Sequence, residues 1–256
     1  ATVTRQKYLT ASEKGPWANS YDRWRNDNLT NRYQGVQFGY TSAGRYTSWN
    51  DIWSYPGYKE RDILPGDYKY EDWNGDGEIN GQDEHPFAFD QTPWLQFSLN
   101  AGLQWKNLDF NMLLQGSALG SMEYKEPLHE IWGKNGGGAL TQFLDRWHPV
   151  DPKADPYDPS TVWTSGHYAY TGRWAKNNSA FNRVSTAYLR LKSIELGYTF
   201  PKLKQIPNAS LRIYANAYNL LTFTGVKFVD PEHPDDDLGR MYPLNKTYTL
   251  GVSLSF

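Results

Sequence analysis

The last ten residues of the chain, 247–256, alternate strictly between apolar and polar side chains. The same period of two recurs in earlier segments, which span residues 36–41, 95–105, 108–115, 189–200 and 211–217. Alternation of this kind predicts β-strands with one apolar and one polar face. A transmembrane β-barrel strand keeps such a pattern over about 10 residues, with one face in lipid and the other in the lumen. We therefore predict an all-β fold in the form of an antiparallel transmembrane β-barrel segment.

Two of these segments predict a hairpin. Residues 95–105 and 108–115 are separated only by Lys106 and Asn107, and Leu113 alone interrupts the apolar pattern of the second run. A connection of this length is typical of a tight turn between antiparallel strands.

A β-bulge is predicted in the segment 189–200. Its apolar positions change parity between Leu191 and Ile194, which places an extra residue near Lys192 and Ser193. Together the segments predict about six strands, or seven if the run from Val3 to Leu9 is also a strand.

The connections between these strands alternate in length. Residues 106–107 and 201–208 are short connections, whereas 117–182 and 225–244 are long and rich in Pro, Gly, Asp and Trp. Outer-membrane barrels have short periplasmic turns and long extracellular loops, so we expect the carboxy-terminus on the periplasmic side. About six or seven strands cannot enclose a wide lumen, and lipid does not tolerate an open sheet edge. The chain is therefore expected to be one part of a larger barrel.

The amino-acid composition is compatible with two classes of protein. The chain has 256 residues, of which 16% are aromatic and only 39% hydrophobic. This balance suits a barrel with aromatic girdles and a polar interior, and it equally suits a secreted, calcium-dependent carbohydrate-binding β-protein. The absence of cysteine excludes disulfides and thiolate metal sites, and a net charge of -2 argues against nucleic-acid binding.

Residues 72–83 have the spacing of a calcium-binding loop. The predicted ligands are oxygen atoms, and they belong to Asp72, Asn74, Asp76, Glu78 (through its backbone carbonyl), Asn80 (directly or through water) and Asp83. Gly77 would allow the sharp turn, and Ile79 would point inward and anchor the loop. Because no amphipathic helix precedes the loop, we predict a structural ion, calcium or alternatively magnesium. An Asx-rich turn that binds no metal is the other interpretation.

Six ordered stretches carry a family resemblance. They read PGDYKYEDWNGDGEIN, LQFSLNAGLQWKNLDFNMLLQG, DRWHPVDP, AYLRLKSIELGYTFPK, LRIYANAYNLLTFT and KTYTLGVSLSF. From about Tyr33 to Phe256, the chain resembles the carboxy-terminal part of SusC/RagA-like TonB-dependent outer-membrane transporters. Ala1 begins neither a signal peptide nor a clean domain. We therefore expect residues 1–256 to be a carboxy-terminal fragment that lacks the plug and the amino-terminal strands.

The resemblance implies the remaining parts of a transporter. These are a barrel of about 22 strands, a plug domain inside it, a segment that contacts TonB, and a SusD-like surface lipoprotein that acts as a lid. Substrates of the family are mostly oligosaccharides, with peptides for some members, and the energy reaches the barrel through TonB. The resemblance also implies that the loop at residues 72–83, which we call the aspartate loop, binds a metal. Phe256 matches the terminal aromatic residue that the barrel-assembly machinery recognises.

No residue pattern predicts an enzyme. The chain has neither a G-x-S-x-G motif nor a phosphate-binding glycine loop, and the acidic run at 230–237 is interpreted as a solvated loop, with a second cation or a partner contact as alternatives. The five histidines are interpreted as ordinary loop residues, and they are His85, His129, His148, His167 and His233. Aromatic residues of the long segment 117–182 either contact a sugar or a protein lid or pack the loop on itself; they are Trp132, Trp147, Trp163, Tyr168, Tyr170 and Trp174.

Overall fold

A computed structural model describes residues 1–3, 5–9, 31–56, 63–125, 128–131, 139–170, 175, 178–201, 209–232, 241–242 and 244–256. Its strands in chain order are β1 (Thr2–Val3), β2 (Gln37–Gly39), β3 (Ser42–Arg45), β4 (Tyr68–Tyr70), β5 (His85–Ala88), β6 (Leu95–Trp105), β7 (Leu108–Ala118), β8 (Ser121–Glu123), β9 (His148–Pro149), β10 (Trp163–Thr164), β11 (Arg183–Ser185), β12 (Tyr188–Phe200), β13 (Ser210–Thr224) and β14 (Thr247–Ser255). Helical structure in these ranges comprises a short α-helix, α1 (Trp49–Ser54), and 3₁₀ turns at Gly81–Asp83 and Thr141–Leu144. In the same ranges, no helix has the length and apolar character needed to span a membrane.

Six strands form the main sheet, in the order β1-β6-β7-β12-β13-β14, and each neighbouring pair is antiparallel. The predicted hairpin is confirmed, since Trp105 pairs with Leu108 and the turn between them holds Lys106 at a φ of 55°. The predicted bulge is also confirmed, because the register of β12 shifts between Leu191 and Ser193. Within the described ranges the sheet is open, with β1 and β14 at its edges, as expected of one part of a barrel.

The register separates the main sheet into two chemically different faces. One row across five strands is apolar and consists of Leu103, Phe110, Leu196, Ala215 and Leu250. The neighbouring row is polar or small and consists of Gln104, Asp109, Gly197, Tyr214 and Gly251. We call the face with the first row the outer face and the face with the second row the inner face.

The long connections lie at one end of the main sheet and the short connections at the other. Residues 106–107 and 201–209 join strands at the end where β14 finishes, and Phe256 follows there. Residues 119–187 and 225–246 join strands at the opposite end. The predicted alternation of loop lengths is therefore confirmed.

A second packed region, the loop core, is formed by the segment between β1 and β6 together with the connection between β7 and β12. Its buried residues are Tyr40, Tyr68, Tyr70, Ile79, Ala169 and Ala175. Pairs of short strands surround it, including β2 with β5 and β3 with β4. The interpretation of residues 36–41 as a wall strand is wrong, because β2 pairs outside the main sheet and Tyr40 is buried in the loop core. Among the described residues of the possible strand from Val3 to Leu9, only Val3 belongs to β1.

Candidate functional site

The outer face of the main sheet exposes large apolar side chains. Leu250 is 80% exposed, Val252 66% and Leu103 64%. A contiguous apolar surface is rare on proteins surrounded by water and marks contact with a membrane or a partner. The long strands have between 9 and 15 residues, and a membrane-spanning strand needs about 9–11. In both length and surface chemistry, the sheet suits a lipid environment.

On the inner face, an ion-pair group joins β7, β12 and β13. The guanidinium of Arg212 lies 2.5 Å from the carboxylate of Asp109 and 2.6 Å from that of Glu195. Charged side chains at membrane depth face a protein interior or a water-filled cavity, where they pair with one another. This group therefore indicates that the inner face is the lumen side of the sheet.

A second charged group ties the connection between β13 and β14 to the inner face of β12. Arg190 is 1% exposed, and its guanidinium donates to both carboxylate oxygens of Asp230, at 2.7 and 2.9 Å. It also pairs with Glu232, which accepts hydrogen bonds from the Tyr188 hydroxyl at 2.8 Å and the Lys192 ammonium at 3.1 Å. We call these five residues the loop anchor.

The loop anchor corrects one sequence-based expectation. The acidic run at 230–237 was expected to be solvated, but the side chains of Asp230 and Glu232 are only 14% and 13% exposed. Arg190 withdraws both carboxylates from water because a buried guanidinium needs counter-charges. Residues 233–237 lie outside the described residues.

The predicted metal loop folds as a series of turns closed by its own side chains. Asp72 accepts the backbone N–H of Gly75 on one carboxylate oxygen, at 2.7 Å, and that of Gly77 on the other, at 2.9 Å. Both glycines have a positive φ, of 72° and 84°, which favours glycine in tight turns. Three further side chains accept the N–H two residues along the chain, at 2.7 to 2.9 Å, and they are Asn74, Asp76 and Asn80.

Asp83 closes this loop from the inside. It is fully buried, and its two carboxylate oxygens accept the N–H groups of Trp73 at 2.9 Å and Asn80 at 2.8 Å. Ile79 is buried in the loop core, as its predicted inward orientation requires. The Trp73 ring stacks on His85 with 3.7 Å between the centroids. The loop is therefore fixed to the rest of the protein at its closing end.

The loop residues differ in how well they suit a cation. The amide nitrogen of Asn74 donates to the carboxylate of Asp76 at 2.8 Å, so these two side chains are neighbours at the exposed side of the loop. Together with Asp72 they could offer the oxygen ligands that calcium and magnesium prefer. Asp83, in contrast, already satisfies two buried N–H groups. In the described part of the chain, no three or more His, Asp or Glu side chains gather into a group that could hold a metal ion.

Packing within the protein accounts for some of the histidines and loop aromatics. His85 and His148 lie in β5 and β9 rather than in loops, which corrects the interpretation of both as loop residues. Trp163 packs edge to face on Tyr170 with 5.4 Å between the ring centroids, which favours packing within the loop for this pair. Three of the singled-out residues lie outside the described ranges, namely Trp132, Trp174 and His233.

Comparison with known proteins gives relatives that match only along part of their length. TonB-dependent receptor P3 of Formosa agariphila is 28% identical over 211 residues, and TonB-dependent receptor P26 of the same organism is 27% identical over 239 residues. The resemblance to SusC/RagA-like TonB-dependent receptors is confirmed. These matches cover 76% and 88% of this chain but only 19% and 22% of the relatives, so the chain spans about a fifth of their length. No protein-family profile matches it.

Two solved structures share the fold of this chain. The RagAB peptide importer in the open-open state matches 98% of this chain and 25% of its own chain, with a TM-score of 0.55 and 18% identity. A second structure, the RagAB peptide transporter, matches 74% of this chain and 19% of its own, with a TM-score of 0.51 and 21% identity. The curated relatives are receptors rather than enzymes, which confirms the prediction that this chain is not an enzyme.

Proposed function

We propose that residues 1–256 form the carboxy-terminal wall of an outer-membrane β-barrel that imports oligosaccharides or peptides. The observation that carries this proposal is the exposed apolar outer face opposite a charged inner face, which suits strands between lipid and lumen. The whole barrel has about 22 strands. Because an open edge is not tolerated in lipid, the strands that this chain does not supply come from the rest of the receptor. The plug domain belongs to that remainder too.

The long connections form the vestibule in which substrate is captured. A SusD-like lipoprotein covers them as a lid, and rearrangement of the plug, driven through TonB, opens the passage to the periplasm. The names of the curated relatives support dependence on TonB. The family resemblance and the RagAB neighbours support a lid and a peptide or oligosaccharide substrate. In this arrangement the loop anchor holds one vestibule connection against the lumen wall.

The carboxy-terminus lies on the periplasmic side in this proposal. Phe256 stands at the end of the sheet with the short connections, and it is 95% exposed. Short connections are typical of the periplasmic side. An accessible terminal aromatic ring there is available to the barrel-assembly machinery, and we propose Phe256 as that signal.

Isolation from the native outer membrane in mild detergent tests the proposed function. We expect this chain in that fraction, together with plug and upstream barrel segments and a surface lipoprotein, all identified by mass spectrometry. Recovery of the chain alone in the soluble fraction, as a 29.5 kDa monomer, would contradict the importer and support a secreted carbohydrate-binding protein.

We also propose that the loop at residues 72–83 binds a structural calcium ion, with magnesium as the alternative. The observation that supports this is the series of turns that places Asp72, Asn74 and Asp76 on one stretch of loop. The backbone carbonyl of Glu78 and the side chains of Asn80 and Asp83 complete the proposed ligands. The ion would neutralise carboxylates that otherwise repel one another and would hold the loop beside the loop core.

Calcium is therefore expected to protect this loop. In the purified receptor, addition of calcium after chelation should slow hydrogen exchange at residues 72–83, by about tenfold for an ion that contributes about 1.4 kcal/mol. Asp76→Asn should remove most of the effect. Asp151→Asn is the matched control, since Asp151 accepts an N–H two residues further on at 2.9 Å just as Asp76 does. Equal exchange with and without calcium in the wild-type receptor would overturn the proposal.

A further inference from the structure

A cavity of about 530 Å³ lies among the long connections, outside the loop anchor and the aspartate loop. Its volume falls within the range of about 300–1,000 Å³ that is typical of small-molecule sites. Much of its wall is aromatic, and the rings belong to Tyr68, Tyr124, Tyr168, Phe181 and Phe228. Such walls provide flat faces for a sugar ring or a peptide side chain.

Three cationic side chains also line this cavity, together with one carboxylate, that of Asp145. Arg183 is paired with Glu123, which lies 3.7 Å away. Arg45 and Lys227 have no carboxylate within salt-bridge distance among the described residues, and Asp145 is the acidic residue of the lining. The lining therefore contains two cationic side chains, Arg45 and Lys227, that form no salt bridge among the described residues.

Arg45 is held in place mainly by uncharged groups. Its guanidinium donates to the carbonyl oxygens of Gly66, at 2.9 Å, and of His167. It also lies 4.0 Å from the ring centroid of Tyr68 and 5.1 Å from that of Phe181. Burial lowers the pKa of Arg45 against smaller opposing effects of Tyr68 and the Asp67 carboxylate, and the guanidinium stays protonated at neutral pH. An anion in the cavity would offset the cost of burying this charge.

A buried, neutral histidine is also part of the lining. His129 is 7% exposed, and burial lowers its pKa to about 4, so the ring is neutral at pH 7. Among the described residues neither ring nitrogen has a well-formed hydrogen bond, although the Lys125 carbonyl is nearby and Glu130 lies 3.6 Å away. The ring therefore adds no charge to the lining.

We propose that this cavity binds a carboxylate group of the imported substrate, with Arg45 and Lys227 as the charged contacts. The proposal rests on the proposed import function. The carboxylate can come from an acidic sugar or from the end of a peptide, because both present the same pair of oxygens to the site. The aromatic wall contacts the body to which the carboxylate is attached.

Paired probes test this site in the detergent-purified receptor that contains this chain. One pair is trigalacturonate and its methyl ester, and the other is N-acetyl-trialanine and its amide. Calorimetry should show that the charged member of at least one pair binds about tenfold tighter than its neutral partner, as expected for a charge-assisted contact. The pair that discriminates identifies the source of the carboxylate.

Lys227→Gln is the informative variant, because this side chain is exposed and its loss should leave the fold intact. It should reduce the ratio of the affinities for the charged and the neutral probe by about threefold, as expected for a solvent-screened charge. Lys153→Gln, at another exposed lysine, should leave it unchanged. The proposal would be overturned if the charged and neutral probes of both pairs bound with equal affinity. It would also be overturned if Lys227→Gln had the same affinity ratio as the wild type. If the receptor still copurifies from the outer membrane with its plug and lipoprotein, the proposed import function stands independently.

Discussion

Replacement of Arg190 with methionine should release the connection between β13 and β14 from the barrel wall. The variant keeps most of the side-chain volume but leaves the largely buried carboxylates of Asp230 and Glu232 without their main counter-charge. Removal of one partner of a buried ion pair costs about 3–5 kcal/mol. We therefore expect hydrogen exchange at residues 225–232 of the purified receptor to be faster by about 100-fold or more. Exchange in β6 and β7 should not change.

Two further variants separate charge from packing in this experiment. Lys192→Met removes a pair to Glu232 whose lysine is 32% exposed, so its effect should be below about 1 kcal/mol. Combining Arg190→Met with Asp230→Asn and Glu232→Gln removes the stranded charges and should recover part of the lost protection. Exchange in Arg190→Met that equals the wild-type rate would show that the loop anchor does not hold this connection.

The alternating pattern was sufficient to predict the long strands and their two faces. A period of two places every second residue on the same face of a sheet, so the apolar positions of β6, β7, β12, β13 and β14 had to form one surface. The parity change after Leu191 similarly predicted the bulge, because an inserted residue is the local way to restore the apolar face. Both inferences depend on neighbours along the chain, which a sequence displays directly.

Short alternating runs carry less information, as residues 36–41 show. A three-residue strand can pair in a wall or in a loop, and β2 pairs with β5 because Tyr40 packs into the loop core. That core assembles from segments far apart in the chain, and the sequence does not state which of them meet.

The sequence indicates that the charged residues of β12 need partners, but it does not identify those partners. Arg190 and Lys192 occupy polar positions of a predicted wall strand, and a charge facing the lumen requires partners. Those partners, Asp230 and Glu232, lie about 40 residues away in an acidic run that also reads as solvated loop. For the aspartate loop, the motif predicted the turns, but the hydrogen bonds of Asp83 to the backbone became apparent only in the structure.

Replacement of Gly39 with alanine should separate β2 from the segment that begins at Asn178. A Cβ atom on Gly39 would lie 1.6 Å from the backbone oxygen of Asn178. That oxygen accepts the N–H of Tyr40 at 3.0 Å, and the Tyr40 carbonyl accepts the N–H of Ala180 at 2.9 Å, so the backbones cannot move apart without losing both bonds. Overpacking typically costs about 1–3 kcal/mol, and a clash with backbone should reach the upper end of that range.

The expected result is a local loss of protection in the loop core with an intact barrel. Hydrogen exchange at residues 37–45 and 178–182 of the purified Gly39→Ala receptor should rise by about 100-fold, while the strands of the main sheet keep their wild-type rates. Gly225→Ala is the matched control, since a Cβ there meets no atom within 4 Å, and its effect should stay below about 0.5 kcal/mol. If hydrogen exchange in Gly39→Ala were as slow as in the wild type, β2 would not pack against Asn178 and the loop core would be assembled differently.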